Sequence, residues 1–270
     1  MTRRRSTPPR RPLPLLGALC LASCGRGPAE RPTAAAPDPA PIVGIDAVEL
    51  LPGVRVDLER RVVEFEGFVP VDAFDPDAPD VWLEQIVCTP DTREHESLVV
   101  TEARPSHIHA ALIAIGLQSG SPGSWRTENQ ESGAWRVVLD PPTGDRVIVE
   151  FITRDDAGNP RLDRAESWVV SARTGLPLGA ERPIEFVFAG SRLVTWQGRE
   201  VYDADFAGTL IGLATFGGET IALSRVIPHA EAVEPLQWKA NIAAIPPFGT
   251  PVTVRLRPAE PARSQPNSRD

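Results

Sequence analysis

The sequence predicts an α+β fold, a large and mostly antiparallel β-sheet system with one principal helix at about residues 105–116. Two observations support this prediction. Most apolar residues fall in short segments rich in Val, Ile, Phe and Trp. These segments are separated by Gly, Pro, Asp and Asn, the residues that typically occur in the turns between strands. Residues 105–116 instead carry their apolar side chains at helical spacing. Many strands with one helix between them indicate the α+β class.

The first predicted strands, 54–58 and 62–69, form a hairpin with Glu59 and Arg60 at its turn. Later strands share the same composition. They are 81–88, 97–101, 135–139, 146–153, 166–171, 184–189, 192–196, 209–215, 220–224 and 251–257. Tryptophans in these strands are predicted to be buried, since burial is the default for such side chains. They are Trp82, Trp135, Trp168 and Trp196.

The single predicted helix has an apolar face formed by Ile108, Leu112 and Ile115. Pro105 suits its first turn and Gly116 suits its C-terminal end. A helix of this kind is expected to pack closely on the sheet.

The first 23 residues have the parts of an export signal. Five arginines precede a nine-residue apolar run, residues 13–21, which is too short for a membrane span of about 20 residues. Leu21-Ala22-Ser23-Cys24 follows and resembles the lipobox of bacterial lipoproteins. We therefore predict a lipoprotein signal peptide at 1–23 and lipidation of Cys24.

The rest of the chain is predicted to be one domain between two disordered segments. Residues 24–41 and 258–270 are poor in large apolar side chains, so we expect a disordered tether and a disordered tail. A single β-rich domain would occupy 42–257. Lipid on Cys24 would hold it at a membrane, in the periplasm or at the cell surface. Gly25 favours the outer membrane, by analogy with lipoproteins retained at the inner membrane by Asp at that position.

Charge and cysteine content exclude several classes of function. Loss of the five signal arginines takes the net charge from −8 to about −13. Nucleic-acid binding requires clustered positive charge, so no nucleic-acid partner is expected. The expected partners are the membrane, through Cys24, and an envelope protein. Cys88 is the one thiol left after Cys20 and Cys24, which excludes an intrachain disulfide and an iron–sulfur cluster. No other cofactor is indicated.

Four side chains beyond Cys88 are candidate metal ligands, because imidazole and carboxylate groups bind zinc and related metals. They are His95, Glu96, His107 and His109. If the strands before and after His95 form a hairpin, Cys88 and His95 flank its loop, but His107 then lies about 20 Å away. The alternative is that His95 and Glu96 belong to a hydrogen-bonding network and that His109 packs under the sheet.

Two further candidate sites follow from single residues. Cys88 or Ser97 with His95 would be the nucleophile and base of a hydrolase or transferase. No Gly-x-Ser-x-Gly or His-Glu-x-x-His motif accompanies them, so the sequence favours a protein without catalytic activity. Trp125, in a loop after the helix, is a candidate for the wall of a ligand-binding groove.

Several local patterns resemble the YdjY domain family over roughly residues 50–225. They are WLEQIVC (82–88), EHESL (94–98), PSHIHAAL (105–112), GL (116–117), GSR (190–192) and YDADFAG (202–208). The resemblance implies an exported, planctomycete-like bacterial protein. It places His95, Glu96 and His109 at motif positions and implies no particular chemistry. A ferredoxin-like activity is not supported, since the mature domain has one cysteine.

These observations favour a lipid-anchored cell-envelope protein that acts as a non-catalytic binding or assembly module. One alternative is a metal- or small-ligand-binding protein that uses the four candidate ligands. The other is a hydrolase or transferase that uses Cys88 or Ser97 with His95.

Overall fold

Strands are the commonest regular elements in the computed structural model, which describes residues 47–77 and 80–259. The first nine strands are β1 (Val48–Leu51), β2 (Val54–Asp57), β3 (Val62–Phe68), β4 (Trp82–Leu83), β5 (Gln85–Cys88), β6 (Ser97–Val100), β7 (Ser124–Asn129), β8 (Trp135–Asp140) and β9 (Arg146–Arg154). The later strands are β10 (Pro160–Arg164), β11 (Val169–Ser171), β12 (Phe186–Val187), β13 (Leu193–Trp196), β14 (Arg199–Tyr202), β15 (Thr209–Gly212), β16 (Ala222–Leu223), β17 (Trp238–Ala240) and β18 (Pro251–Pro258).

Helices are fewer. They are α1 (Pro105–Ala114) and α2 (Asp203–Ala207), with 3₁₀ turns at Glu94–Glu96 and Ala165–Trp168. A predominantly β fold is therefore confirmed. The predicted signal, Cys24 and the tether lie outside the described residues. No helix in the described part of the chain is long and apolar enough to cross a membrane.

The main sheet contains eleven of the described strands. Its central order is β15-β5-β6-β3-β18-β9-β12-β16, with β2 and β1 added beside β3 and β10 beside β9. Its centre is apolar because Phe65 pairs with Val254 and Val63 with Leu256, and all four side chains are buried. Each such side chain contributes about 1.5–3 kcal/mol by its removal from water. The predicted hairpin of β2 and β3 is confirmed, with Val56 opposite Val63.

The strand predicted at 81–88 is two strands in different sheets. β4 joins a three-stranded sheet with β17 and β11, whereas β5 joins the main sheet. The break is at Glu84, whose carbonyl accepts the N–H groups of Leu213 and Ala214 at 2.9 and 3.0 Å. These bonds to a neighbouring loop interrupt the strand.

The hairpin considered for this strand and 97–101 does not form, because β5 and β6 are parallel. The 3₁₀ turn at Glu94–Glu96 carries the chain back alongside the start of β5, so that Ser97 lies opposite Gln85. The backbone N–H of Glu84 donates to the carbonyl of Glu96 at 3.0 Å. The loop residues therefore lie beside the beginning of β5.

The predicted helix is present as α1 and ends two residues earlier, at Ala114. Ile108 and Leu112 are fully buried against the core. Gly116 adopts a positive φ of 83°, and Leu117 N–H donates to the carbonyl of Leu112 at 3.1 Å. This is the Schellman arrangement, in which a glycine in the left-handed conformation ends the helix.

Burial was predicted correctly for one of four strand tryptophans. Trp168 is fully buried, although its segment begins as a 3₁₀ turn rather than a strand. Trp135 is 70% exposed, and Trp82 and Trp196 are also exposed. Trp135 and Trp196 belong to two-stranded sheets, β7-β8 and β13-β14, which are not part of the main sheet. The strand pattern alone does not distinguish such hairpins from core strands.

The last strand of the described chain extends one residue past 257. β18 continues to Pro258, and Ala259 N–H donates to the carbonyl of Arg146 at 2.9 Å. Pro258 therefore belongs to the sheet and Ala259 is hydrogen-bonded to it, whereas 260–270 lie outside the described residues.

Candidate functional site

Glu84 and Glu96 form an acid pair around one arginine. Arg93 Nη1 lies 2.6 Å from Glu96 Oε1 and 3.4 Å from Glu84 Oε2. Glu84 is 8% exposed. Burial, followed by the negative charge of Glu96, raises the pKa of Glu84 to about 7. With Glu84 protonated, the charges of Arg93 and Glu96 balance one another.

Three aromatic side chains, Phe216, His229 and Trp125, form a row of rings that begins beside this acid pair; we call it the ring row. The Arg93 guanidinium lies 4.1 Å from the ring centroid of Phe216, which stacks on His229 at 4.7 Å. His229 meets Trp125 edge to face at 5.3 Å. The carbonyl of Thr215 is 3.2 Å from Trp125 Nε1 and 2.9 Å from His229 Nδ1, so it aligns both rings. Sequence reasoning missed Glu84, Phe216 and His229, since no local motif unites them.

Trp125 is in a strand rather than a loop. It belongs to β7, and its indole N–H is tied to the body of the domain. Its predicted loop position is wrong, because the residues after Gly123 pair with β8. Trp125 remains partly exposed at one end of the ring row.

The four predicted metal ligands lie in three different surroundings, and only His95 and Glu96 share one. The His95 side chain is 79% exposed and its Nε2 is 3.8 Å from Glu96 Oε2. His107 Nδ1 lies 3.4 Å from the carbonyl of Pro52, whereas His109 contacts Tyr202. Residues two apart on a helix point in different directions, which separates His107 from His109. Within 47–77 and 80–259, no group of three or more His, Cys, Asp or Glu side chains is arranged to hold a metal ion.

His109 belongs to a partly buried hydrogen-bonding network centred on Tyr202. The Tyr202 hydroxyl lies 2.9 Å from His109 Nδ1 and donates to the carbonyl of Gly190 at 3.0 Å. Burial lowers the pKa of His109 and raises the pKa of Tyr202. Gly190 has a φ of 85°, and a Cβ there would lie 2.7 Å from Ser119 Cβ. The network requires a glycine at this position.

The predicted nucleophiles are buried and engaged elsewhere. Cys88 is fully buried, and this burial raises the pKa of its thiol. Ser97 is also buried, and its hydroxyl donates to the carbonyl of Arg93 at 2.6 Å. In the described part of the chain, neither residue has a hydrogen bond to His95. The geometry gives no support to a nucleophile–base pair.

β7 and β8 form a hairpin that we call the arm (residues 124–140). In the described chain they pair with each other and with no other strand. One face carries the apolar residues of β8, of which Trp135 is 70%, Leu139 47% and Val137 41% exposed. Cross-strand pairing puts Trp125 on this face, opposite Leu139. The apolar face of the arm therefore meets the ring row at Trp125.

The other face of the arm is polar and internally satisfied. Arg126 lies 2.7 Å from Asp140 and 3.0 Å from Glu128, and Arg136 lies 3.0 Å from Glu128. Two cations and two carboxylates balance each other. Exposed pairs of this kind contribute little to stability, so the arm has one solvated face and one apolar face available for contact.

The comparisons with known proteins identify a family. The sequence profile of the YdjY domain matches residues 54–257, which include the acid pair, α1, the arm and the Tyr202 network. No curated protein and no solved structure matches the chain. Because the matched segment covers most of the sequence, the chain belongs to the YdjY domain family.

Proposed function

We propose that this chain is an exported lipoprotein, held at the cell envelope by lipid on Cys24, and that its domain is a non-catalytic assembly module that binds a partner protein along the arm. The observation that carries this proposal is the arm itself. It presents an exposed apolar face and two strand edges that pair with no other strand in the described chain.

The arm has little stability of its own. A two-stranded hairpin is marginally stable in water unless a third strand or a packed surface supports it. Trp125 anchors one end of the arm, but Trp135 lies at the other end and is mostly in solvent. Full burial of Trp135, Val137 and Leu139 would each contribute about 1.5–3 kcal/mol. A partner that covers this face would therefore stabilise the arm.

The edges of the arm indicate what kind of partner fits. Unpaired N–H and C=O groups on a strand edge bind an extended segment as an added strand. Such a segment would place alternate apolar side chains against Trp135 and Val137. A second copy of this chain is disfavoured by the predicted mature net charge of about −13, which repels like-charged copies. We therefore propose that the partner is an extended, apolar segment of a different envelope protein.

Site-specific photo-crosslinking in intact cells tests this proposal. A photo-reactive residue at Val137 should crosslink the full-length chain to one partner protein. The same residue at Leu162, which is similarly exposed in β10, should not. Trp135→Ser in the same chain should abolish the Val137 crosslink. Equal crosslinking at both positions, no crosslink at Val137, or a crosslink to a second copy of the chain would contradict the proposal.

The purified complex gives an independent measurement. Trp135→Ser is expected to weaken binding by about tenfold or more, because one buried aromatic anchor contributes at least 1.4 kcal/mol. Leu162→Thr is the matched control and should leave the affinity unchanged. Thermal unfolding of both variants shows whether the domain itself is intact.

A further inference from the structure

A second concave site lies away from the arm, between two loops. One loop follows β11 and the other precedes β17, and they enclose a cavity of about 580 Å³. Backbone hydrogen bonds hold the two loops together: Ala172 N–H donates to the Gln237 carbonyl and Ser224 N–H to the Glu185 carbonyl, both at 2.8 Å. The cavity is therefore preformed, and its size is typical of small-molecule sites.

The cavity is positively charged in an acidic protein. Its lining includes three arginines and two glutamates; these residues are Arg173, Arg182, Arg225, Glu181 and Glu234. Glu181 is paired with Arg173 at 2.5 Å, and Glu234 accepts a hydrogen bond from the Gln237 amide. Arg182 and Arg225 have no carboxylate partner in the described part of the chain. The lining therefore has one excess positive charge, whereas the whole chain has a net charge of −8.

Within residues 47–77 and 80–259, two buried donors in the lining have no acceptor. Trp238 is 7% exposed, and its indole N–H makes no hydrogen bond to any of these residues. Arg225 Nε is also buried and unpartnered, although Arg225 Nη2 donates to Gln237 Oε1 at 2.8 Å. Buried donors without an acceptor are uncommon, because the loss of their hydrogen bonds to water is not compensated. Both side chains line the cavity.

The rest of the cavity wall indicates that the ligand has an apolar part. Pro177, Ile184 and Leu236 line the cavity with apolar surface. A guanidinium and a neighbouring N–H group suit the two oxygens of a carboxylate, and one negative charge balances the excess positive charge. We propose that this cavity binds a small organic monocarboxylate with an apolar body, held by Arg225 and Trp238, with Arg182 providing long-range attraction. This site uses no residue of the arm.

Isothermal titration calorimetry on the full-length chain tests this site, with benzoate, phenylacetate and hexanoate as probes and benzamide as the uncharged match to benzoate. At least one carboxylate is expected to bind with a stoichiometry near one, and benzamide about tenfold or more weakly than benzoate. Arg225→Gln should weaken carboxylate binding by about tenfold or more, since a charged hydrogen bond is lost. Trp238→Phe, which removes only one N–H donor and part of the ring, should weaken it several-fold.

Two arginines on the surface keep the test decisive if Arg225→Gln does not fold. Arg182 is exposed, and Arg182→Gln should weaken carboxylate binding less than Arg225→Gln does. Arg136→Gln on the arm should have no effect on binding. The proposal is overturned if none of the carboxylates binds at millimolar concentration, or if benzamide equals benzoate. It is also overturned if inorganic phosphate binds more tightly than every carboxylate, or if Arg182→Gln and Trp238→Phe bind like the parent chain.

Discussion

Asp205 caps helix α1 through Ser106, although the two residues lie 99 positions apart in the chain. Asp205 Oδ1 accepts the backbone N–H of Ser106 at 2.7 Å, and Oδ2 accepts its hydroxyl at 2.6 Å. Arg104 adds an ion pair to the same carboxylate at 3.2 Å. A negative charge at the first turn of a helix is favourable because the N–H groups there lack intrahelical partners. The motif at 202–208 therefore supports the position of α1.

Asp205→Ala is expected to lower the free energy of unfolding by about 1–2 kcal/mol, the usual effect of a lost N-terminal cap. Urea unfolding followed by circular dichroism measures it. Asp156→Ala, in an exposed turn, is the matched control and should change stability by less than about 0.5 kcal/mol. Equal effects of the two substitutions would show that the cap does not stabilise the helix.

The acid pair predicts a dependence of stability on pH. The folded protein holds the proton of Glu84 more tightly than the unfolded chain, because the pKa rises from 4.5 to about 7 on folding. The contribution of Glu84 to the free energy of unfolding therefore decreases as pH increases through this interval. Glu84→Gln should remove this decrease, so the stability difference between variant and parent should grow from pH 4.5 to pH 7. Glu131→Gln on the surface is the control, and a constant difference for Glu84→Gln contradicts the interpretation.

His109 predicts the opposite dependence. Burial lowers its pKa from 6.5, so the unfolded chain binds the proton more readily than the folded protein. The contribution of His109 to stability is present above pH 6.5 and is lost as pH falls through this value towards the lower folded-state pKa. Thermal unfolding of His109→Gln should show a weaker loss of stability on acidification than the parent. His107→Gln on the same helix is the control, and an unchanged acid slope in His109→Gln would refute this role.

Tyr202→Phe is expected to destabilise the domain by about 1–3 kcal/mol, because it leaves partly buried groups without their hydrogen-bond partner. The groups concerned are His109 Nδ1 and the carbonyl of Gly190. Thr195→Val removes a hydroxyl from an exposed strand position and serves as the control. Chemical denaturation of the two variants distinguishes them, and a nearly neutral Tyr202→Phe would mean that the network contributes little.

The proposed lipid anchor predicts a change in location. Cys24→Ser should release the chain from the membrane fraction and abolish incorporation of labelled fatty acid. Cys20→Ser lies within the predicted signal and should leave both unchanged. Cell fractionation followed by immunoblotting measures the share of the chain in the membrane fraction. A Cys24→Ser chain that stays in that fraction would argue for another means of attachment.

Sequence reasoning found parts of the acid pair and of the ring row but not their connection. Residue type and position indicate Glu96 of the acid pair and Trp125 of the ring row. The sequence pattern around Glu84 is that of one continuous strand, so it does not indicate a site. The pairing of Glu84 with Glu96 depends on the parallel arrangement of β5 and β6. No local pattern specifies that arrangement.

The sequence by itself determined the β-rich character, the hairpin of β2 and β3, and helix α1 with its terminal Gly116. Each of these depends on neighbours within a few positions, where periodicity and turn residues act directly. Only the tertiary structure decided that Trp135 lies in solvent, that Glu84 and Glu96 share Arg93, and that Asp205 caps α1. These outcomes depend on which distant segments become neighbours. Strand pairing and burial are properties of the whole sheet. A strand that belongs to an isolated hairpin therefore has the same local sequence pattern as a strand in the core.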